Sequence, residues 1–73
     1  MAALRIAHYE VTDALQRHFE RSDDYLNVQQ LSDMTGLDTT EVENALRVLY
    51  EQGIITAIRR AGSPYPTEVT GFS

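Results

Sequence analysis

The chain contains no cysteine, no lysine and no tryptophan. Without cysteine, neither a disulfide bond nor a thiolate metal site can stabilise the fold, so apolar packing and well-capped helices must do so. No apolar run approaches the roughly 20 residues that cross a bilayer, and the N-terminus has no basic stretch followed by an apolar one. We therefore expect a small cytoplasmic protein with no membrane span and no secretory signal.

Basic residues are also few. Six arginines against eleven acidic residues give a net charge of −5, which opposes non-specific binding to any polyanion. The charges are unevenly distributed: residues 27–53 hold one arginine and five acidic residues, whereas residues 54–73 hold two arginines and one acidic residue. The C-terminal stretch is the one basic part of the sequence.

A first helix is predicted over residues 2–21, because one set of residues recurs at the three-to-four spacing of a helical face. This set comprises Leu4, Ala7, His8, Val11, Ala14, Leu15, His18 and Phe19. Ile6 and Tyr9 lie off that face and form a second apolar patch, which is expected either to contact a second copy of the chain or to pack against the C-terminal part of the same molecule. His8 and His18 lack the spacing at which two helical histidines bind one metal ion, so no metal site is expected.

A second helix is predicted over residues 28–35. Asn27 is expected to be its N-cap, and Gln30, three residues later, can complete a capping box. Tyr25 and Leu26 form a short extended segment before the cap and can act as a strand.

A third helix is predicted over residues 39–52. Gly36 is expected to end the second helix in a left-handed conformation, and Asp38 to cap the third, with Glu41 at the third helical position. Two helices joined by a turn of about three residues that contains glycine are typical of a helix-turn-helix.

The apolar period changes from helical to alternating after Gly53, which predicts a hairpin over residues 54–72. Its first strand is expected up to Arg60 and its second from Thr67, with turn-forming residues over 61–66 between them.

From Leu26 to about Phe72 the chain resembles the winged helix-turn-helix family of small bacterial and phage-type regulators. The resemblance is carried by Asn27 to Leu31, Thr35-Gly36-Leu37, the apolar set Val42, Ala45, Leu46 and Leu49, and Glu51 to Ile55. It implies one α+β, mostly helical winged-helix domain over residues 1–73. It also implies a sequence-specific transcriptional regulator whose third helix enters the major groove of double-stranded DNA and whose hairpin, the wing, contacts the backbone or the minor groove.

With the apolar set of the third helix inward, the helical wheel directs Thr40, Asn44, Arg47 and Glu51 outward, flanked by Glu43 and Val48. An arginine can bind guanine bidentately, an asparagine adenine, and a threonine a phosphate or a thymine methyl group. The alternative for Arg47 is an ion pair with Glu43 or Glu51, one helical turn away on either side.

In the hairpin, Arg59 and Arg60 alternate between faces and could bind phosphates, with Tyr65 at the tip between two prolines. The alternative is two solvated arginines that protect an edge strand and a tyrosine that packs on the hairpin. The residues predicted to contact DNA are thus Thr39, Thr40, Glu43, Asn44, Arg47, Arg59, Arg60 and Tyr65.

Two further expectations concern partners. Phosphate contacts by three arginines would release about three counterions, which gives weak binding, so a homodimer through Ile6 and Tyr9 is expected. Because Glu43 and Glu51 lie near the presumed DNA-binding face, the rival hypothesis is an acidic winged helix that docks on a protein instead of DNA. An enzyme is not expected, since there is no glycine-rich phosphate loop and no cysteine nucleophile, and no cofactor is expected either.

Overall fold

The protein is a small, mostly helical α+β structure with three helices and a three-stranded antiparallel sheet. The computed structural model describes the backbone of residues 2–63 and 65–73 and the side chains of residues 6–63 and 65–73. The elements are α1 (Ala2–Arg21), β1 (Leu26–Asn27), α2 (Val28–Thr35), α3 (Thr39–Glu51), β2 (Ile55–Arg59) and β3 (Pro66–Phe72). The Leu4 side chain and Pro64, both used in the sequence predictions, lie outside the described residues. None of the described helices combines the length and apolarity needed to cross a bilayer.

The core joins all three helices to the sheet. Apolar positions at helical spacing on α1, α2 and α3 pack with residues of the sheet in one cluster. The buried cluster consists of Val11, Leu15, Leu26, Leu31, Val42, Ala45, Leu46, Leu49, Ile55 and Val69. Because the hairpin contributes to this cluster, it is part of the folded body and not an appendage.

The start and end of α2 follow the sequence prediction. The Asn27 side chain accepts a bond from the Gln30 backbone N–H at 2.8 Å, and the Gln30 side chain accepts one from the Asn27 backbone N–H at 2.9 Å, which completes the capping box. Gly36 ends the helix with φ 75°, in the left-handed region that suits glycine. Leu37, just beyond, packs partly buried against the core.

Hydrogen bonds of the two hydroxyl side chains of α2, Ser32 and Thr35, stabilise the turn into α3. Ser32 donates its hydroxyl to the Leu37 carbonyl oxygen, and the Gly36 N–H donates to the Ser32 carbonyl oxygen at 2.9 Å. Thr35 accepts from the Leu37 N–H at 3.3 Å. These bonds hold α3 in a defined direction relative to α2.

The prediction for the start of α3 was wrong in one respect. Asp38 occupies the N-cap position with extended backbone, but its side chain makes no capping hydrogen bond. A carboxylate at this position still interacts favourably with the positive end of the helix dipole, and that interaction needs no specific bond geometry.

The third helix ends at Glu51, one residue earlier than predicted, in a Schellman motif. The N–H of Ile54 donates to the Leu49 carbonyl oxygen at 3.0 Å, and that of Gly53 to the Tyr50 carbonyl oxygen at 3.1 Å. Gly53 has φ 74°. The motif reverses the chain so that Ile55 enters the sheet already buried.

The sheet has the order β1-β3-β2, with the C-terminal strand in the centre. The first strand comprises Leu26 and Asn27, paired with Val69 and Glu68, and not Tyr25 and Leu26 as predicted. Tyr25 is exposed and unpaired in the sheet because pairing begins at the buried Leu26. Asn27 is both the last strand residue and the cap of α2, so the strand and the helix are joined without a loop.

The hairpin differs from the predicted regular alternation, because the register of β2 against β3 shifts twice. At each shift β3 has one extra residue, Thr70 at the first and Thr67 at the second. Thr70 donates its hydroxyl to the Thr56 hydroxyl oxygen at 2.9 Å, and Thr67 donates to the Ile58 carbonyl oxygen at 3.1 Å. Threonine hydroxyls therefore bond to β2 where the backbone ladder is interrupted.

The strand bounds shift for a related reason. The last residue of β2 is Arg59, not Arg60, and Pro66, predicted in the turn, is the buried first residue of β3 opposite Arg59. Proline is tolerated at the first position of a strand, where its missing N–H costs no ladder bond.

Candidate functional site

The outward side of α3 and the neighbouring end of the hairpin form one surface, here called the α3–hairpin face. Thr39 and Thr40 are exposed at the start of α3, and Asn44 is half-buried one turn later. The opposite side of the helix carries the buried core residues, so the helical periodicity correctly predicted which side is covered. The face comprises Thr39, Thr40, Glu43, Asn44, Arg47, Arg59, Arg60 and Tyr65.

Arg47 lies at the centre of this face and does not form the ion pair considered as the alternative. Its guanidinium carbon is 6.0 Å from the centre of the Tyr65 ring, within the range of a cation–π contact. Neither Glu43 nor Glu51, both of which the structure describes, lies within ion-pair distance of it. Contact with an aromatic ring leaves the positive charge of Arg47 uncompensated by a carboxylate.

The Arg47 side chain is also held at an energetic cost. Its Nε atom is buried and has no hydrogen-bond partner among the residues that the structure describes. A buried donor without an acceptor costs about 1–3 kcal/mol, and such groups in folded proteins call for an explanation.

Arg59 and Arg60 are both exposed, Arg59 as the last residue of β2 and Arg60 directly after it. The Arg59 guanidinium carbon is 5.5 Å from the centre of the Tyr50 ring. Neither arginine makes an ion pair with the described residues. Exposure without an ion pair fits both sequence alternatives, two arginines that bind phosphates and two solvated arginines.

Tyr50 was missed by the sequence analysis. It is half-buried on α3, three residues after Arg47, and packs against the core while its ring contacts Arg59. The signal was present in the helical spacing, because residues three apart share a helix face. The register of the hairpin, which decides that Arg59 reaches this ring, was not available from sequence.

Tyr65 is half-buried, and both its backbone N–H and the residue that follows it are held in place. Its backbone N–H donates to the Ser63 hydroxyl oxygen at 3.2 Å, and the next residue, Pro66, is buried. Its ring contacts Arg47 of α3. The tip of the hairpin therefore contacts the helix.

Carboxylates adjoin the same face. Glu43 is half-buried and Glu51 exposed on α3, Asp38 is exposed at the N-cap position, and Glu41 is exposed in the first turn. Among the described residues of this region, three positive charges, those of Arg47, Arg59 and Arg60, stand beside these four negative ones. The face is therefore of mixed charge. A polyanion can approach it favourably only where the arginines lie, at the junction of helix and hairpin.

The apolar patch on α1 is uncovered. Ile6 is 58% exposed and Tyr9 72% exposed, so the alternative that they pack against the hairpin was wrong. They lie three residues apart and therefore adjacent on the helix surface.

Elsewhere, the described residues contain no group of three or more His, Asp or Glu side chains arranged to hold a metal ion. The Nε2 atom of His18 is 2.7 Å from the Asp24 carbonyl oxygen, and its ring packs edge-on against the Phe19 ring. These contacts give His18 a structural role. A groove between α1 and α2 is lined by Glu10, Asp13 and other exposed or half-buried side chains.

Searches of protein-family models, of curated proteins and of solved structures gave no match to this chain.

Proposed function

We propose that the protein is a winged helix-turn-helix that binds double-stranded DNA in a sequence-specific manner and acts as a transcriptional regulator. The single observation that supports this most is the group formed by Arg47, Arg59 and Arg60. Arg47 of α3 and Arg59 of the hairpin both make contacts between these two elements, the exposed Arg60 directly follows Arg59, and none of the three forms an ion pair with a described carboxylate. Guanidinium groups without a carboxylate partner are suited to phosphates and guanine edges.

The roles within the proposed complex differ. Arg47 and Asn44, on the outward side of α3, contact bases in the major groove, and the exposed Thr39 and Thr40 contact phosphates at the helix start. Arg59 and Arg60 contact phosphates from the hairpin. Base contacts provide specificity, whereas phosphate contacts provide affinity for any sequence.

The experiment is selection from a randomised duplex library at about 50 mM and about 200 mM salt, since phosphate contacts weaken as salt rises. Arg47→Ala is expected to flatten the preference at one base-pair position, while Arg59→Ala and Arg60→Ala weaken all sequences alike. Arg17→Ala is the matched control: it removes the same charge from α1, where Arg17 is paired with Asp13 at 3.2 Å. It should leave the selected sequence unchanged. A wild-type protein that enriches no sequence and binds no duplex at low salt would refute the proposal.

A second candidate is docking on a basic protein surface, favoured by Glu43 and Glu51 beside the arginines and by the net charge of −5. Glu43→Gln together with Glu51→Gln separates the two. If the ligand is DNA, removing these carboxylates strengthens duplex binding, because repulsion from phosphates is lost. If the ligand is a basic surface, an arginine-rich peptide binds the wild type and binds the double variant more weakly.

The DNA-binding proposal includes a homodimer in which Ile6 and Tyr9 of one copy contact those of the other. Their exposure leaves the patch accessible, and a two-fold dimer doubles the number of arginine–phosphate contacts.

A further inference from the structure

Two arginine–tyrosine contacts join the hairpin to α3. In one contact the arginine lies on the helix, and in the other it lies on the hairpin. Arg47 of α3 meets the Tyr65 ring at 6.0 Å, and Arg59 of the hairpin meets the Tyr50 ring of α3 at 5.5 Å. Each element therefore contributes one arginine and one tyrosine. These four residues are here called the Arg–Tyr cluster.

The backbone explains why the two contacts occur side by side. Arg47 and Tyr50 are three residues apart and so lie next to each other on α3. On the hairpin, Arg59 pairs with Pro66 in the sheet register, and Tyr65 directly precedes Pro66. The second register shift, between Ile58 and Arg59, produces this pairing.

Within the contact between Arg47 and Tyr65, the ring is the better fixed partner. The Tyr65 backbone is bonded to Ser63 and continues into the buried Pro66, and a tyrosine side chain has only two rotatable bonds. An arginine side chain has more rotamer freedom to lose than a tyrosine side chain. The ring therefore restricts the arginine more than the arginine restricts the ring.

The buried Nε atom of Arg47 limits how this side chain can bind. With Nε enclosed, a bidentate contact that uses Nε and one terminal amino group is blocked. A contact through both terminal amino groups remains, and this geometry still matches the O6 and N7 acceptors of guanine.

We infer that Tyr65 is a positioning residue for base recognition: it holds Arg47 so that its two terminal amino groups meet a guanine end-on, and the hairpin thereby takes part in the sequence preference of α3. This inference rests on the proposed DNA binding. It gives the hairpin a second role besides phosphate contact, through a residue that need not touch DNA, and it gives a reason for the buried donor of Arg47.

The test compares Tyr65→Leu, which removes the ring, with Tyr65→Phe, which keeps it. Tyr25→Leu is the matched control, because Tyr25 is an exposed tyrosine next to β1 and outside the α3–hairpin face. Selection from the duplex library should show Tyr65→Leu flattening the same base-pair position as Arg47→Ala, by about tenfold or more. Tyr65→Phe and Tyr25→Leu should retain the wild-type preference.

A second measurement needs no DNA. Solvent exchange of the Arg47 Nε–H, followed by NMR, is expected to be slow in the wild type and in Tyr65→Phe and clearly faster in Tyr65→Leu. Amide spectra of all variants verify that each is folded.

The outcomes separate the two proposals. If the wild type enriches no sequence, the proposed function fails and the recognition role of Tyr65 fails with it. If the wild type enriches a sequence but Tyr65→Leu enriches it equally, or loses affinity for all sequences alike, only the role of Tyr65 is overturned. Unchanged Nε–H exchange in Tyr65→Leu overturns that role as well.

Discussion

Asn27 and Asp38 occupy equivalent positions before α2 and α3, yet only Asn27 uses its side chain. Asn27 exchanges two hydrogen bonds with Gln30, whereas the Asp38 side chain makes none to its helix. The two residues thus offer a direct comparison between a cap that works through hydrogen bonds and one that works through charge alone.

We predict that Asn27→Ala lowers the free energy of unfolding by about 1 kcal/mol, because a backbone N–H loses its acceptor. Asp38→Ala is expected to cost only a few tenths of a kcal/mol, the value of a screened charge near a helix end. Urea denaturation of both variants measures the difference. An equal loss in both would contradict the assignment of the capping bonds.

At Gly71 the absence of a side chain serves a contact between strands. A Cβ atom built there would lie 2.8 Å from the Thr56 hydroxyl oxygen, which accepts from Thr70. The hydroxyl could move away only by breaking that bond.

Gly71→Ala is therefore predicted to destabilise the protein by about 1 kcal/mol, the net value of a hydrogen bond. In a Thr56→Ala background the obstructing oxygen is gone, so the same substitution should cost clearly less. Thermal or urea unfolding of the four proteins of this double-mutant cycle gives the coupling. Additive losses would show that the two positions do not interact.

Among the elements, the turn between α2 and α3 determines how the proposed DNA-binding helix is presented. Gly36 has φ 75°, and no atom lies within 4 Å of a Cβ built on it. A substitution at this position thus changes the backbone energy without a steric clash.

Gly36→Ala is expected to cost about 1 kcal/mol, because a side chain disfavours the left-handed conformation. Gly36→Asn should cost less, since asparagine tolerates that region best among the other residues. Unfolding free energies rank the three proteins. A stable Gly36→Ala variant would mean that the turn adopts another conformation in solution.

Sequence alone predicted the elements that are formed by local interactions. Asn27, Gly36 and Gly53 act within a few residues of their own positions, so the three helices and the return of the chain into a hairpin were readable from spacing and turn chemistry. The register shifts at Thr67 and Thr70 were not readable, because they depend on how β3 fits between two other strands.

The candidate site divides in the same way. The outward position of Arg47 followed from the helical period, but its contact with Tyr65 in place of an ion pair depends on tertiary packing. Tyr50 was missed for the same reason, since nothing local links it to Arg59.

For the whole molecule, the balance of charge should govern how DNA binding depends on salt. Two arginines, Arg59 and Arg60, are proposed to contact phosphates in each copy. The logarithm of the binding constant should then fall against the logarithm of salt concentration with a slope of about −2 for one copy and about −4 for two.

We predict the steeper slope for the wild type and the shallower one for Ile6→Ser combined with Tyr9→Ser, which removes the exposed apolar patch. Analytical ultracentrifugation of both proteins gives the mass of the species in solution. Wild-type protein that sediments as a monomer and binds with the shallower slope would rule out the dimer.

The irregular register of the hairpin has a consequence for how separate molecules behave together. β2 lies at the edge of the sheet, where an unpaired backbone could template growth into fibrils. Two interruptions within five residues increase the local twist of the hairpin, so that its border is less flat than the one an incoming strand would need. The geometry that brings Arg59 to α3 thus also discourages amyloid-like stacking at high concentration.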